Sequence, residues 1–74
     1  MGYEFFLIEV LGVDRVWVLV VDVSDNVGEI YEVSRDILDK ALDIRFRDES
    51  EASSFIREHG RKIRDRVYVF NEGV

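Results

Sequence analysis

The sequence predicts a single α/β domain over residues 1–74, with the element order β-β-α-β-α-β, a four-stranded mixed sheet and two helices. Three observations lead to this fold class. Two valine-rich or aromatic runs near the N-terminus are typical of strands. Two later segments place apolar residues at helical spacing. A chain of 74 residues is long enough for one domain with a modest core.

The first two predicted strands form an antiparallel hairpin. Tyr3–Val10 is almost wholly aromatic, β-branched or aliphatic, and Arg15–Val23 is rich in valine. The short connection between them contains Gly12, which is free to adopt a positive φ angle in a turn. A connection of this length joins neighbouring antiparallel strands.

The next segment has two interpretations. In the first, Ser24 is the N-cap of a long helix, because apolar residues recur at helical spacing as far as Ala41. In the second, Ser24–Val33 contributes an extra hairpin strand of an α+β fold, and Ser34 caps a shorter helix. Gly28 favours the second interpretation, because glycine weakens helices. The unbroken periodicity leads us to predict the long helix.

The remainder of the chain predicts a strand, a helix and a final strand. Leu42–Arg47 alternates apolar and polar side chains, as does a strand with one solvent-exposed face. Asp48 and Glu51 resemble a capping box that opens the second helix. Gly60 is a typical stop for that helix. Arg66–Phe70 is the last predicted strand.

This order of elements predicts right-handed parallel crossovers. Because Val16–Val21 is apolar at every position, the second strand needs cover on both faces. One explanation places the two helices on opposite faces of a sheet with strand order 3-2-1-4. The other places both helices on one face and buries the opposite face against a second subunit. No partner is evident from the sequence itself, and a homodimer enters only through the second of these explanations.

Composition argues against several classes of function. Without cysteine the chain forms no disulfide, thiolate metal site or cysteine nucleophile, and a reducing compartment is expected. The net charge of −6 argues against a nucleic-acid partner, which requires a basic face. No apolar run has the ~18 residues that cross a bilayer, and the N-terminus lacks the basic region of a signal peptide. We therefore expect a soluble, cytoplasmic-type protein with no membrane partner.

Loop carboxylates are the only candidates for a metal site. The ends of the predicted parallel strands carry Asp22, Asp25, Asp48 and Glu72, and such ends meet at one edge of an α/β sheet. Mg²⁺ and Ca²⁺ prefer oxygen ligands of this kind. The same residue types are ordinary caps and loop residues. We therefore predict no metal and no cofactor.

The sequence indicates no enzyme. His59 is the only histidine, and no nucleophile or orienting partner stands beside it. A structural role at the end of its helix is expected. Neither of the common glycine motifs that bind phosphate is present. We predict no catalytic residue.

Three short stretches together make up a pattern of strand, cap, helix and terminal glycine. They are Val23–Asn26 after a valine-rich strand, Arg47–Ala52, and Phe55–Gly60 before the final strand. With the absence of proline and cysteine, they make Val18–Phe70 similar to computationally designed (de novo) Rossmann-like and P-loop-like α/β proteins. The resemblance implies a scaffold with no evolved activity. A natural small protein is the alternative, because Gly28 inside the proposed helix is not an idealised choice.

Three functional hypotheses remain open at this point. The leading one is a stand-alone structural scaffold without catalysis. The second is a small protein–protein interaction or homodimerisation module that uses an apolar sheet face. The third is a weak divalent-metal site at the carboxyl ends of the strands.

Overall fold

The computed structural model describes residues 2–69, in which one antiparallel sheet carries two helices on one of its faces. Each strand pairs antiparallel with its neighbour, in the order β1-β2-β3-β4. No helix within these residues is long and apolar enough to span a bilayer. The elements in chain order are β1 (Tyr3–Val10), β2 (Arg15–Asp22), β3 (Val27–Ser34), α1 (Arg35–Arg45), α2 (Glu49–His59) and β4 (Arg61–Tyr68).

The predicted mixed sheet is wrong, because all the strand pairs are antiparallel. The long helix from Ser24 does not form. The chain turns there instead: the N–H groups of Asp25 and Asn26 donate to the Asp22 carbonyl, and Asn26 has a φ of 55°. The predicted strand Leu42–Arg47 forms the end of α1 and the connection to α2. With no strand between the helices, the described residues contain neither parallel crossovers nor the strand order 3-2-1-4.

The segment after this turn is a strand, as the alternative interpretation held. Tyr31 and Val33 are buried against the helices, whereas Ile30 and Glu32 lie on the opposite face of the sheet. This alternation has a period of two, which a helix cannot provide. Ser34 then caps α1, and its Oγ accepts a hydrogen bond from the N–H of Ile37.

The core lies between the sheet and the two helices. Val16, Val18 and Val20 alternate along β2 and are almost completely buried. Their partners in register on β1 and β3 point to the same side, so both helices pack on a single face. The core cluster consists of Phe5, Val16, Val18, Val20, Tyr31, Val33, Leu38, Ala41, Ala52 and Ile56.

The ends of α2 agree with the features predicted for the second helix. Asp48 is the N-cap, and its Oδ1 accepts hydrogen bonds from the N–H groups of Ser50 and Glu51. Gly60 ends the helix and donates its N–H to the Ile56 carbonyl at 2.8 Å. The chain enters β4 immediately afterwards. The last strand therefore begins earlier than predicted, and Phe70 lies outside the described residues.

Candidate interaction surface

The sheet face opposite the helices is apolar at its centre. Strand register places alternate residues of β1, β2 and β3 on this side, away from the core. Among residues 2–69, Arg45 of α1 reaches this side at the β1 edge, where its guanidinium lies 5.9 Å from the Phe6 ring centroid. Bulky apolar side chains on an uncovered face are the feature that needs an explanation in a small protein. We call this surface the open face and define it by Phe6, Ile8, Trp17, Leu19 and Ile30; Val21 lies on the same side by register but is only 5% exposed.

A groove of ≈ 490 Å³ crosses the open face. Phe6 and Ile8 on β1 are 43% and 45% exposed, while Trp17 and Ile30 at the centre are partly buried by their neighbours. The groove lies on the outer side of a sheet, so it presents a surface rather than an enclosed cavity. Its lining residues are Ile8, Glu9, Trp17, Ile30, Arg64, Asp65, Arg66 and Val67.

Trp17 is held in place on this face by a charged partner. Its Nε1 donates a hydrogen bond to Oε1 of Glu32 at 3.2 Å. Arg15 Nε and Arg61 Nη2 lie 3.2 Å and 3.6 Å from the oxygens of the same carboxylate. The hydrogen bond from Trp17, supported by the two cations, lowers the pKa of Glu32. Sequence reasoning missed this pair, because Glu32 faces Trp17 only when its segment is a strand.

Charges of opposite sign border the open face on its two edges. Glu4 and Glu9 of β1 lie on this side by register, and we call them the acidic rim. Arg61 and Arg64 of β4 lie on the same side at the opposite edge, and we call them the basic rim. Within residues 2–69, Arg61 pairs with Glu32, whereas the other three have no ion-pair partner within 4.0 Å.

The edge of β1 is partly covered. The Tyr3 N–H points away from β2 and donates to Ser50 Oγ at 3.3 Å. Phe5 is buried, with the Arg45 guanidinium 5.0 Å from its ring centroid. Between Leu7 and Glu9 a register shift interrupts the regular strand. These features disfavour the addition of another long strand at this edge.

The edge of β4 is protected by charge and irregular geometry. Its sequence is mostly charged, and its pairing with β3 shifts register in two places. Arg66 has a φ of 53°, which takes the backbone out of the extended conformation. Such edges resist pairing with another strand. The open face is therefore a better candidate for protein contact than either edge.

A polar cluster closes one end of the core on the helix side of the sheet. The Glu29 carboxylate accepts a hydrogen bond from Tyr31 Oη at 2.7 Å and lies 3.3 Å from Lys62 Nζ and 4.0 Å from Arg57 Nε. Burial, followed by the hydrogen bond to Glu29, raises the pKa of the Tyr31 phenol. The same carboxylate raises the pKa of Lys62. Because these three side chains supply the Glu29 carboxylate with donors and compensating charge, the cluster has a structural role.

The candidate metal residues that the structure describes lie in a turn and at a helix cap. Asp22 and Asp25 belong to the turn between β2 and β3, where Asp22 Oδ1 accepts the Ser24 N–H at 3.0 Å. Asp48 caps α2, and Glu72 lies outside the described residues. No group of three or more potential ligands occurs within 2–69. The antiparallel sheet removes the parallel strand ends on which the metal hypothesis depended.

His59 lies at the end of α2. Its Nδ1 is 3.0 Å from the Phe55 carbonyl oxygen, and its ring centroid is 4.2 Å from that of Phe55. Both contacts are made within one helical turn. This geometry fits the structural role that the sequence predicts.

Comparison of the chain with protein-family models, curated proteins and solved structures finds no match. Two features of the described residues invite a functional interpretation: the open face with its rims, and the cluster around Glu29. The cluster is polar and internally satisfied. The open face is apolar and uncovered, which makes it the stronger candidate for a binding surface.

Proposed function

We propose that this protein is a protein–protein interaction module that binds its partner through the open face. The observation that carries the proposal is the placement of both helices on one side of a sheet whose other side is also apolar. A partner that covers Phe6 and Ile8, which are 43% and 45% exposed, gains roughly half of the ~1.5–3 kcal/mol that complete burial of each side chain contributes.

The composition of the open face also supports protein recognition. Tryptophan is enriched among the residues that dominate binding energy at interfaces, and it acts best when its orientation is fixed. The hydrogen bond to Glu32 fixes the Trp17 indole before any partner arrives. Charged rims around an apolar centre are the usual arrangement of protein interfaces.

The scaffold hypothesis and this proposal make different predictions about the open face. A stand-alone scaffold does not require an uncovered apolar face, whereas an interaction module does. A charged residue at the centre of the face leaves a scaffold unaffected as long as the fold persists. The same change abolishes binding by an interaction module.

Site-specific crosslinking tests the proposal. The photo-reactive amino acid p-benzoylphenylalanine replaces Ile8 on the open face or, as a control, Phe46, which is 90% exposed in the connection between α1 and α2. Cells that make the protein are irradiated, and the mass of each adduct is measured.

We expect one discrete adduct from position 8 and none of the same mass from position 46. Adding Ile30→Lys should remove that adduct, with circular dichroism confirming that the variant is folded. The absence of an adduct at position 8, or an adduct that persists with Ile30→Lys, refutes the proposed function.

A further inference from the structure

We infer that the partner is a second copy of this chain, docked open face to open face about a two-fold axis parallel to the strands. The inference rests on the function proposed above and names the occupant of the open face. It follows from the distribution of charge on the two rims and from the size of the face.

The two rims lie on opposite edges of the sheet, since β1 and β4 are its outermost strands. Two symmetric ways exist to place one sheet face on another with the strands aligned. A two-fold axis across the strands puts β1 on the partner's β1, so that acidic rim meets acidic rim. An axis parallel to the strands puts β1 on the partner's β4, so that acidic rim meets basic rim. Only the second arrangement is electrostatically complementary.

The register matches individual residues in this arrangement. Glu9 and Arg61 belong to one row across the sheet, and Phe6 and Arg64 belong to another. Rotation about an axis parallel to the strands places each row of one protomer over the same row of its partner, with the order of strands reversed. Glu9 then lies over the partner's Arg61, and Phe6 lies over the partner's Arg64, a cation–π arrangement. The angle of about 30° between packed sheets displaces these pairs by roughly one residue.

The area of the open face is sufficient for a dimer of modest affinity. Strands of eight residues are ~26 Å long, and four of them span ~19 Å. Each protomer thus contributes about 500 Å², and the pair buries about 1,000 Å², the lower limit for a specific interface. We expect a dissociation constant in the micromolar range.

Charge reversal on one rim at a time tests the orientation. Variant one is E4K/E9K, which makes both rims basic, and variant two is R61E/R64E, which makes both rims acidic. D39K/E58K is the control for variant one, because it changes the net charge equally at exposed positions on α1 and α2. Sedimentation equilibrium of each purified protein from micromolar to millimolar concentration gives its dissociation constant.

We expect the unmodified protein and the control to dimerise alike. Each rim variant alone should have a dissociation constant on the order of tenfold higher. An equimolar mixture of the two variants should recover the original affinity within about threefold, because acidic and basic rims then meet at both edges. If variant two fails to fold, variant one alone decides the orientation. Its substitutions break no ion pair among residues 2–69, because Glu4 and Glu9 have none there, so we expect variant one to fold.

The possible failures are distinguishable. A dimer that Ile30→Lys dissociates, but whose affinity E4K/E9K leaves unchanged, refutes the axis parallel to the strands. A protein that stays monomeric at millimolar concentration refutes the second copy as occupant, and the mass of the crosslinked adduct then decides the proposed function by itself. A dimer that a folded Ile30→Lys variant leaves intact forms through another surface, so it refutes the second copy as occupant of the open face, and the crosslinked adduct again decides the proposed function.

Discussion

Gly60 is the position where one added methyl group has the clearest expected consequence. A Cβ atom there would lie 2.6 Å from Val33 Cγ1, 2.8 Å from the Ile56 carbonyl oxygen and 3.2 Å from Tyr31 Cβ. The carbonyl oxygen cannot move freely, because it accepts the Gly60 N–H that ends α2. With a φ of −97° and a ψ of 168°, the backbone is extended, so the problem is steric rather than conformational.

The cost of Gly60→Ala can be worked out from these contacts. Forcing extra atoms into packed structure destabilises proteins by about 1–3 kcal/mol. Reduced freedom of the unfolded chain offsets about 0.4–1 kcal/mol of that. A net loss of roughly 1–2 kcal/mol corresponds to a decrease in Tm of about 5–15 °C for a domain of this size.

Thermal and urea unfolding followed by circular dichroism measure this loss. Gly2→Ala is the matched control, because its Cβ meets only Ser50 Oγ at an ordinary distance of 3.5 Å. We expect the control to change the free energy of unfolding by less than about 0.5 kcal/mol. Equal stabilities of the Gly60→Ala and unmodified proteins would show that the approach of α2 to β3 is not as close as described.

Three further predictions concern buried or perturbed polar groups. The buried Ser53 hydroxyl has no hydrogen-bond partner among residues 2–69, so Ser53→Ala should stabilise the protein by up to ~1 kcal/mol in urea unfolding. The gain should exceed that of Ser54→Ala at the exposed neighbouring position, and a clear loss of stability in Ser53→Ala contradicts this prediction. The pKa of Glu32 is lowered in the folded protein, so the stability that its carboxylate contributes is present above the ordinary pKa of about 4.3 and is lost as the pH falls. Glu32→Gln should therefore flatten the acid side of the curve of unfolding free energy against pH, and an unchanged curve refutes this contribution of Glu32. The Tyr31 pKa is raised, so its stabilisation is present below the ordinary pKa of about 10 and lost at higher pH. An absorbance titration should show a phenol that ionises above this ordinary pKa, and Tyr31→Phe should remove it; a high-pH phenol that persists in the variant contradicts the assignment.

Local sequence signals are sufficient to locate β1, β2 and α2 along the chain. The first hairpin has strands of consistent β propensity on both sides of a short glycine-containing turn. The helix α2 begins at the side-chain cap provided by Asp48 and ends at Gly60. In each case the residues that form the element also mark its ends, so tertiary contacts are not needed to locate it.

The other elements depend on tertiary context. In β3, Val27, Ile30 and Tyr31 fit helical spacing as well as an alternating strand, and only the pairing with β2 decides between them. The end of α1 alternates in polarity by coincidence, because Ile44 packs against the core while Arg45 reaches Glu49 at 3.6 Å. An exposed edge strand such as β4 needs no apolar pattern, so its sequence resembles a loop.

The open face was only partly predictable. The apolar run Val16–Val21 predicts that the second strand needs cover on both faces, and a second subunit is one of the two explanations that follow from it. The choice requires the positions of the helices, which the sequence assigns incorrectly when Ser24 is taken as a helix cap. The scaffold hypothesis and the designed origin stay predictions.

The position of β4 makes it an exchangeable part of the fold. It follows Gly60, comes last among the described elements and pairs in the sheet only with β3. A chain cut after Gly60 keeps the three-stranded meander and both helices on one fragment, and places the last strand on the other. We expect fragment complementation, in which a peptide beginning at Arg61 restores the four-stranded sheet. Exchange of this strand between two chains offers a route to domain-swapped assemblies that leaves every pairing along β3 unchanged.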